Sequence, residues 1–224
     1  MVGCKIKTKI ANPELVKEKH KIIAEAAAGL FLKKGFNKTT MRDIAKKSGI
    51  ELSYLYKYIS TKDDILYLFY QYVTIHYEPI YRMIESSKDE DPLILMRNAL
   101  SLILKNSHSL THEVQTMYTE SRHLKHNSLY EVLETESEFV KIVENLIRRG
   151  IKSGAIKTRD PVMAANIIQF LVVIESLRSW NFRDSYNFDN FAESLIDFVM
   201  NGLKVDEKRW QKIKKQQVSI QSIP

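Results

Sequence analysis

Between residues 40 and 62, the chain carries side chains and a helix start that are able to bind phosphate. Lysine ammonium groups can neutralise phosphate charge, and threonine or tyrosine hydroxyls can donate hydrogen bonds to phosphate oxygens. Two further residues follow an expected helix start, where backbone N–H groups also favour an anion. The candidate phosphate-binding residues are Thr40, Met41, Arg42, Tyr56, Lys57 and Lys62.

Two histidine pairs have spacings that metal sites use. His108 and His112 are four residues apart and His123 and His126 are three apart, so each pair can share one face of a helix. The chain contains no HExxH string, and its single cysteine, Cys4, is remote from both pairs. We therefore expect no bound metal and no cofactor.

Catalytic motifs are also missing from the sequence. It contains neither a glycine-rich phosphate loop nor a GxSxG elbow, and no carboxylate pair stands out from the charged helix faces. We therefore expect that the protein is not an enzyme.

Positive charge is concentrated in the first quarter of the chain. Residues 1–62 contain 14 Lys and Arg against 5 Asp and Glu, whereas residues 63–224 contain 20 against 22. A basic module joined to a near-neutral one is typical of a nucleic-acid-binding protein. A membrane-surface helix would combine such charge with one strongly apolar face, whereas here it is spread over several short elements. The distribution favours DNA as the partner.

Apolar residues at helical spacing predict an all-α protein, with an N-terminal three-helix domain containing a helix-turn-helix and a larger helical domain of about nine helices. The predicted divisions are a flexible basic arm over 1–12, the helix-turn-helix DNA-binding domain over 13–62, the larger domain over 63–203 and a basic, fraying tail over 204–224. No apolar stretch reaches the length of a membrane span or a signal sequence, so we expect a cytoplasmic protein without membrane contact. Beyond residue 60, the predicted helices cover about 61–86, 92–107, 111–124, 129–149, 161–181 and 188–202.

A helix-turn-helix is predicted around Gly49. A capping-box-like start at Thr40 opens a short helix that ends near Ser48, and a second short helix follows over about 52–59. Tyr58 is expected to face the core, because Tyr54, Tyr56 and Tyr58 alternate and cannot share one helix face. Two further roles stay open, namely phosphate contact or simple solvation for Lys46 and Lys47, and minor-groove contact or solubility for Lys5, Lys7 and Lys9.

Over about residues 22–68, the sequence resembles the TetR family. The match runs through IAEAA, LF and KGF to TTMRDIA, and ends with SGI, LYKYI and TKD, in the same order and spacing. The resemblance implies that Thr40, Tyr56 and Lys62 contact DNA phosphates. It places Leu52, Ser53, Tyr54 and Lys57 on the recognition helix, facing the groove. The chain departs from the family pattern at residues 51–53, where Glu-Leu-Ser replaces a Ser or Thr, a basic residue and a Gly, so the operator sequence stays open.

The C-terminal helices are predicted to form a homodimer interface and a ligand pocket. The segments 161–181 and 188–202 are apolar around most of their circumference, so they lie either at the centre of a core or between two subunits. The resemblance implies that they are shared between two subunits. Polar residues among apolar ones give the candidate ligand-binding set His108, Tyr118, Arg122 and Glu175. Residues 119–122, Thr-Glu-Ser-Arg, are similar to a stretch in TetR regulators of fatty-acid metabolism. They imply an acyl-CoA or another lipophilic effector, unless Glu120 and Arg122 form structural ion pairs.

The resulting hypothesis is a sequence-specific DNA-binding transcriptional regulator, expected to act as a repressor. Its partners would be a double-stranded DNA operator, a small-molecule effector and a second copy of the chain. The alternative is a basic helical protein that binds nucleic acid or another partner without sequence specificity.

Overall fold

The computed structural model describes residues 6–182, 184 and 186–221. Cys4 and Lys5 of the predicted arm lie outside the described residues. Helices account for most of the described chain and no strand occurs in it, so the all-α prediction is confirmed. The helices are α1 (Pro13–Lys38), α2 (Met41–Ser48), α3 (Leu52–Tyr58), α4 (Lys62–Thr74), α5 (Glu78–Ser86), α6 (Pro92–Ser109), α7 (Thr111–Glu120), α8 (His126–Lys152), α9 (Pro161–Leu171), α10 (Ile174–Leu177), α11 (Ser179–Phe182), α12 (Phe188–Gly202) and α13 (Glu207–Gln221), with a 3-10 turn over Ser121–His123.

The chain divides into two compact units. The first contains the described residues up to His76 together with Leu110–Glu136, and the second contains Tyr77–Ser109 and the described residues from Ser137 onward. The first unit therefore includes α4, α7 and the start of α8 in addition to α1–α3. The division by function that the sequence suggested, with boundaries at 62 and 203, stays a prediction.

The core of the first unit is built on one face of α1. Ile23, Ala27 and Phe31 recur at helical spacing and are buried, as the sequence predicted. The Phe31 ring lies edge-on to Phe69 of α4, with 5.8 Å between centroids. At Gly35 the backbone takes a positive φ of 77° and α1 kinks.

The helix-turn-helix forms as predicted from local signals. The Thr40 hydroxyl accepts a hydrogen bond from the Asp43 amide and the Asp43 carboxylate accepts one from the Thr40 amide, which completes a capping box. Gly49 ends α2 in the left-handed conformation, with φ 70°. Tyr58 is buried, as predicted, and so is Leu55 on the supporting face of α3.

The predicted single helix over 61–86 is wrong, because the segment forms α4 and α5 with a break at residues 75–77. Pro79 has no N–H to donate to the carbonyl of Ile75, and its ring would clash with that carbonyl in a continuous helix. The apolar pattern continues across the break, which is why periodicity alone predicts one helix.

The predicted helix over 161–181 is also wrong in its continuity. It forms the three short helices α9, α10 and α11, and the first break falls in the β-branched run Val172, Val173 and Ile174, which has low helix propensity.

The expectation of a fraying tail is wrong as well, because α13 continues the chain as a helix to Gln221. Trp210 on this helix is only 1% exposed and joins the core of the second unit. Its indole N–H donates to Asp197 Oδ1 at 3.1 Å. Among the basic residues of α13, Arg209 and Lys214 are ion-paired with Asp91 and Asp197, whereas Lys208, Lys212 and Lys215 are exposed.

Candidate DNA-binding and ligand-binding sites

The N-terminus of α2 is held by a network centred on Asp43. Its carboxylate accepts hydrogen bonds from the Thr40 hydroxyl at 2.6 Å and from Lys34 Nζ at 2.7 Å. The Lys34 contact, followed by the bonds from Thr40, holds the pKa of Asp43 well below its ordinary value of 3.8. The single proton of the Thr40 hydroxyl is thus directed to Asp43. Arg42 is exposed beside this helix start, and Met41 is half-buried.

One side of helix α3 is buried, and its opposite side is exposed and carries mostly polar residues. Tyr54 and Tyr56 are 50% and 44% exposed, and Lys57 Nζ lies 4.1 Å from the centroid of the Tyr54 ring. Ser53 is exposed and Leu52 is half-buried. The four residues predicted to face the groove, and Tyr56 beside them, are therefore accessible, at least in part.

Glu51, where the sequence departs from the family pattern, precedes this face. Its side chain makes no capping hydrogen bond to the α3 backbone. Instead, Glu51 Oε1 accepts a hydrogen bond from Ser53 Oγ at 2.6 Å. The start of α3 therefore presents a carboxylate and a hydroxyl that are already bonded to each other.

Lys62 is placed differently from Lys57. Its Nζ donates to the carbonyl oxygens of Phe36 at 2.9 Å and Asn37 at 3.4 Å, and it lies 4.2 Å from the Phe36 ring centroid. An ammonium at this position satisfies carbonyls at the C-terminal end of α1 and complements the helix dipole. Lys62 therefore has a structural role in addition to any contact with phosphate.

Because Lys57 is exposed and Lys62 is bonded to the end of α1, we expect different effects on DNA binding and on stability when each is replaced. Lys57→Ala should weaken binding to operator DNA without changing thermal stability, and should reduce the salt slope of log K by about 1 for each copy of the chain bound. Lys62→Ala should also lower the stability of the protein, by about 1 kcal/mol, because it removes hydrogen bonds from the end of α1. DNA titrations at several salt concentrations and thermal unfolding measure both properties. Unchanged unfolding of Lys62→Ala, or unchanged DNA affinity of Lys57→Ala at every salt concentration, would contradict this assignment.

In the second unit, two of the candidate ligand-binding residues lie together. His108 Nδ1 is 3.3 Å from Glu175 Oε1, and the His108 ring stacks on Phe188 with 4.4 Å between centroids. Within the described part of the chain, Glu175 Oε2 is buried and lacks a hydrogen-bond partner. Buried polar atoms are normally satisfied, so this oxygen is a candidate acceptor for a ligand. Phe188 is the member of this cluster that the sequence did not predict. Its segment, 188–202, was predicted to form part of the homodimer interface.

The other two candidates belong to the first unit. Tyr118 on α7 is 51% exposed, and Arg122 in the 3-10 turn is exposed with its Nε 3.4 Å from His123 Nε2. Their participation with His108 and Glu175 in one pocket stays a prediction.

Glu120 has the structural role that was kept open for it. Its Oε1 accepts from the Phe36 amide at 3.3 Å, next to the kink at Gly35, and its Oε2 lies 3.4 Å from His123 Nε2. The structural role of Glu120 thus lies in its contacts with the Phe36 amide and the His123 ring.

The second unit carries an apolar groove between α9 and α12, with a volume of about 350 Å³. Ile167 and Met163 on α9 are 49% and 57% exposed, and Phe198 on α12 is 66% exposed. The segment 188–202, which was predicted to form part of the homodimer interface, is only partly accessible, because Phe191 and Val199 pack into the core of the unit. The exposed large apolar side chains of α9 and α12 include Met163, Ile167, Phe170 and Phe198.

Two properties of residues 6–182, 184 and 186–221 bear on metal binding and membrane contact. No group of three or more His, Cys, Asp and Glu residues in that part of the chain is arranged to bind a metal ion. None of its helices combines the length and apolar character that crossing a bilayer requires.

A basic helix-turn-helix followed by a larger helical region defines a class of DNA-binding regulators. Residues 23–67 match the family described as "Bacterial regulatory proteins, tetR family", and residues 91–203 match "Tetracyclin repressor-like, C-terminal domain". The chain belongs to the TetR family of bacterial transcriptional regulators.

Bacterial regulators are found both among the relatives by sequence and among the solved structures that this chain resembles. A "Fatty acid metabolism regulator protein" of Bacillus subtilis (strain 168) is 24% identical over 190 residues, covering 83% of this chain and 95% of that protein. The structure of AibR in complex with isovaleryl coenzyme A and operator DNA is similar with TM-score 0.68 and 18% identity, covering 80% of this chain and 97% of that one. The structure of the regulator FadR from Bacillus subtilis in complex with stearoyl-CoA is similar with TM-score 0.63 and 21% identity, covering 81% and 97%. At these identities, the solved structures establish the fold.

Proposed function

We propose that the protein is a homodimeric transcriptional repressor that binds an inverted-repeat operator and releases it when an acyl-CoA binds. The observation that carries the proposal is the outer face of α3. Tyr54, Tyr56 and Lys57 are exposed on a short helix whose other side is buried against the domain. A helix held in this way can enter the major groove as a rigid element.

The proposed DNA site divides into two groups of contacts. Leu52, Ser53, Tyr54 and Lys57 face base edges, where Leu52 can pack on a thymine methyl group and Glu51 can accept from cytosine. Tyr56, Lys62 and the start of α2 contact the DNA backbone. Because the Thr40 hydroxyl donates to Asp43, a phosphate at that start is expected to use Arg42 and the backbone N–H groups more than Thr40.

Selection of bound sequences from a random DNA pool, at two salt concentrations, tests sequence-specific binding. We expect enrichment of an inverted repeat, with half-sites separated by about one helical turn, roughly 34–36 Å, or by a multiple of it. Steep salt dependence without an enriched motif would contradict the proposal and favour non-specific nucleic-acid binding.

We also propose that the protein is cytoplasmic.

Two observations support the proposed effector binding, namely a buried carboxylate oxygen in the second unit and the names of the relatives. Glu175 Oε2 is buried without a partner among the residues that the structure describes, so it can accept a hydrogen bond from an N–H or O–H of a ligand. The names of relatives refer to fatty-acid metabolism and coenzyme A thioesters. A coenzyme A thioester supplies both an apolar chain and amide and hydroxyl donors, which suits a site that contains His108 and Glu175.

Glu175→Gln should raise the stearoyl-CoA concentration needed for half-release of the operator about tenfold, because it replaces a carboxylate acceptor by a neutral amide, and hydrogen bonds to charged groups are the stronger ones. Release is measured by fluorescence anisotropy, with isovaleryl-CoA, coenzyme A and stearate compared in parallel. Glu138→Gln is the matched control, since Glu138 is an exposed carboxylate of the same unit. Equal dose-response curves for the two variants would remove Glu175 from the site. Release by none of the four compounds would contradict the acyl-CoA proposal.

A further inference from the structure

The last carbonyls of the recognition helix α3 are bonded to residues from elsewhere in the first unit. A helix leaves its final C=O groups without partners inside the helix. Lys57 O accepts from the Lys9 amide at 2.7 Å and from the Thr8 hydroxyl at 3.1 Å. Tyr58 O lies 2.8 Å from His20 Nε2. The described part of the N-terminal arm thus caps the C-terminal end of the recognition helix.

The arm is also seated on the domain by its apolar side chains. Ile6 and Ile10 are half-buried and line an open groove of about 820 Å³ together with Val16 of α1 and Leu68 of α4. Ser60 Oγ donates to the carbonyl of Lys7 at 3.4 Å. Residues 6–10 therefore have a defined path beside the end of α3.

The lysines of the arm alternate with these anchoring residues. Ile6, Thr8 and Ile10 provide the anchors, whereas the side chains of Lys7 and Lys9 are exposed. In the same unit, Lys34 and Lys62 are engaged in structural contacts with Asp43 and with the end of α1. Lys7 and Lys9 thus add accessible positive charge at the backbone of Lys57, whose side chain lies on the proposed DNA-facing surface.

We propose that residues 6–10 form a second DNA-binding element, in which Lys7 and Lys9 contact phosphates beside the major groove that α3 enters. The Lys9 amide lies within hydrogen-bond distance of α3 itself, so docking of α3 brings the arm to the same stretch of duplex. A duplex carries one negative charge per roughly 1.7 Å of its axis, so cations at this position meet phosphate without a specific sequence. The inference rests on the proposed binding of operator DNA by α3.

The test is a Lys7→Ala, Lys9→Ala double variant of the full chain on the selected operator. We expect an affinity loss of at least about tenfold near 0.1 M salt. The salt slope of log K should be smaller by about 3.6, since the proposed dimer loses four phosphate contacts that contribute about 0.9 each. Thermal stability should not change, because Thr8 and the Lys9 amide still cap α3. Lys105→Ala, Lys141→Ala is the charge-matched control, as both lysines are exposed in the second unit.

Thr8→Val separates DNA contact from helix capping, because it removes the hydroxyl that anchors the arm and keeps the size of the side chain. If the arm acts through its lysines, Thr8→Val weakens DNA binding in the wild-type background but not in the double variant. An equal loss in both backgrounds, together with a lower unfolding temperature, would mean that the arm only caps α3 and would overturn the inference. A salt slope of the double variant equal to that of the control would overturn it too. Failure of the wild-type protein to select any operator would instead refute the proposed function itself.

Discussion

Phe198→Asp should convert the proposed homodimer into monomers and weaken operator binding by at least about 100-fold. Phe198 is 66% exposed in the single chain and borders the apolar groove between α9 and α12. A two-fold interface contains every residue twice, so the substitution would bury two unpaired carboxylates. A monomer presents only one recognition helix, which removes the avidity that two half-sites provide. Sedimentation and DNA titration measure the two effects on the same sample.

Leu102→Asp is the control for this prediction, because Leu102 is an exposed apolar residue of the second unit that does not line the groove. It should leave both the mass in solution and the operator affinity close to those of the wild type. A Phe198→Asp protein that remains dimeric would place the interface elsewhere. A monomeric protein with undiminished operator affinity would contradict the bivalent mechanism.

Trp210→Ala should lower the free energy of unfolding of the second unit by about 3–5 kcal/mol, which is the usual cost of truncating a buried tryptophan. Trp210 is 1% exposed, and its indole N–H is bonded to Asp197 of α12. Because α12 also carries Phe198, the loss should extend to dimerisation and so to DNA binding. Chemical denaturation followed by circular dichroism measures the effect.

Two further variants identify the cause of this effect. Trp210→Phe keeps an aromatic ring but loses the indole N–H, and should cost about 1 kcal/mol for the hydrogen bond in addition to a volume term. Gln211→Ala changes an exposed position of the same helix and should be nearly neutral. If Trp210→Ala unfolds like Gln211→Ala, then α13 does not stabilise the unit in solution.

The helix-turn-helix was predictable because its determinants are local. The capping box joins Thr40 to Asp43, three residues away, and Gly49 ends α2 through its own backbone conformation. The inward position of Tyr58 follows from its place on α3 relative to Tyr54 and Tyr56. The errors farther along the chain arose where a pattern competed with a neighbouring signal. Apolar periodicity predicted one continuous helix although Pro79 breaks helices. In the tail, the many basic residues predicted a fraying segment although Trp210 packs into the core.

The sequence by itself determined the all-α class, the DNA-binding element and the family, because helix periodicity, capping and turn residues act over a few positions. Only the tertiary structure decided which side chains meet across the chain. His108 and Glu175 are 67 residues apart, Thr8 and Lys57 are 49 apart, and Lys62 reaches the end of α1 across 26 residues. Such pairs depend on how complete helices pack against one another, and no local pattern encodes that packing. The type of protein was therefore readable from single segments, whereas the second role of Lys62, the anchoring of the arm and the buried oxygen of Glu175 follow from the fold.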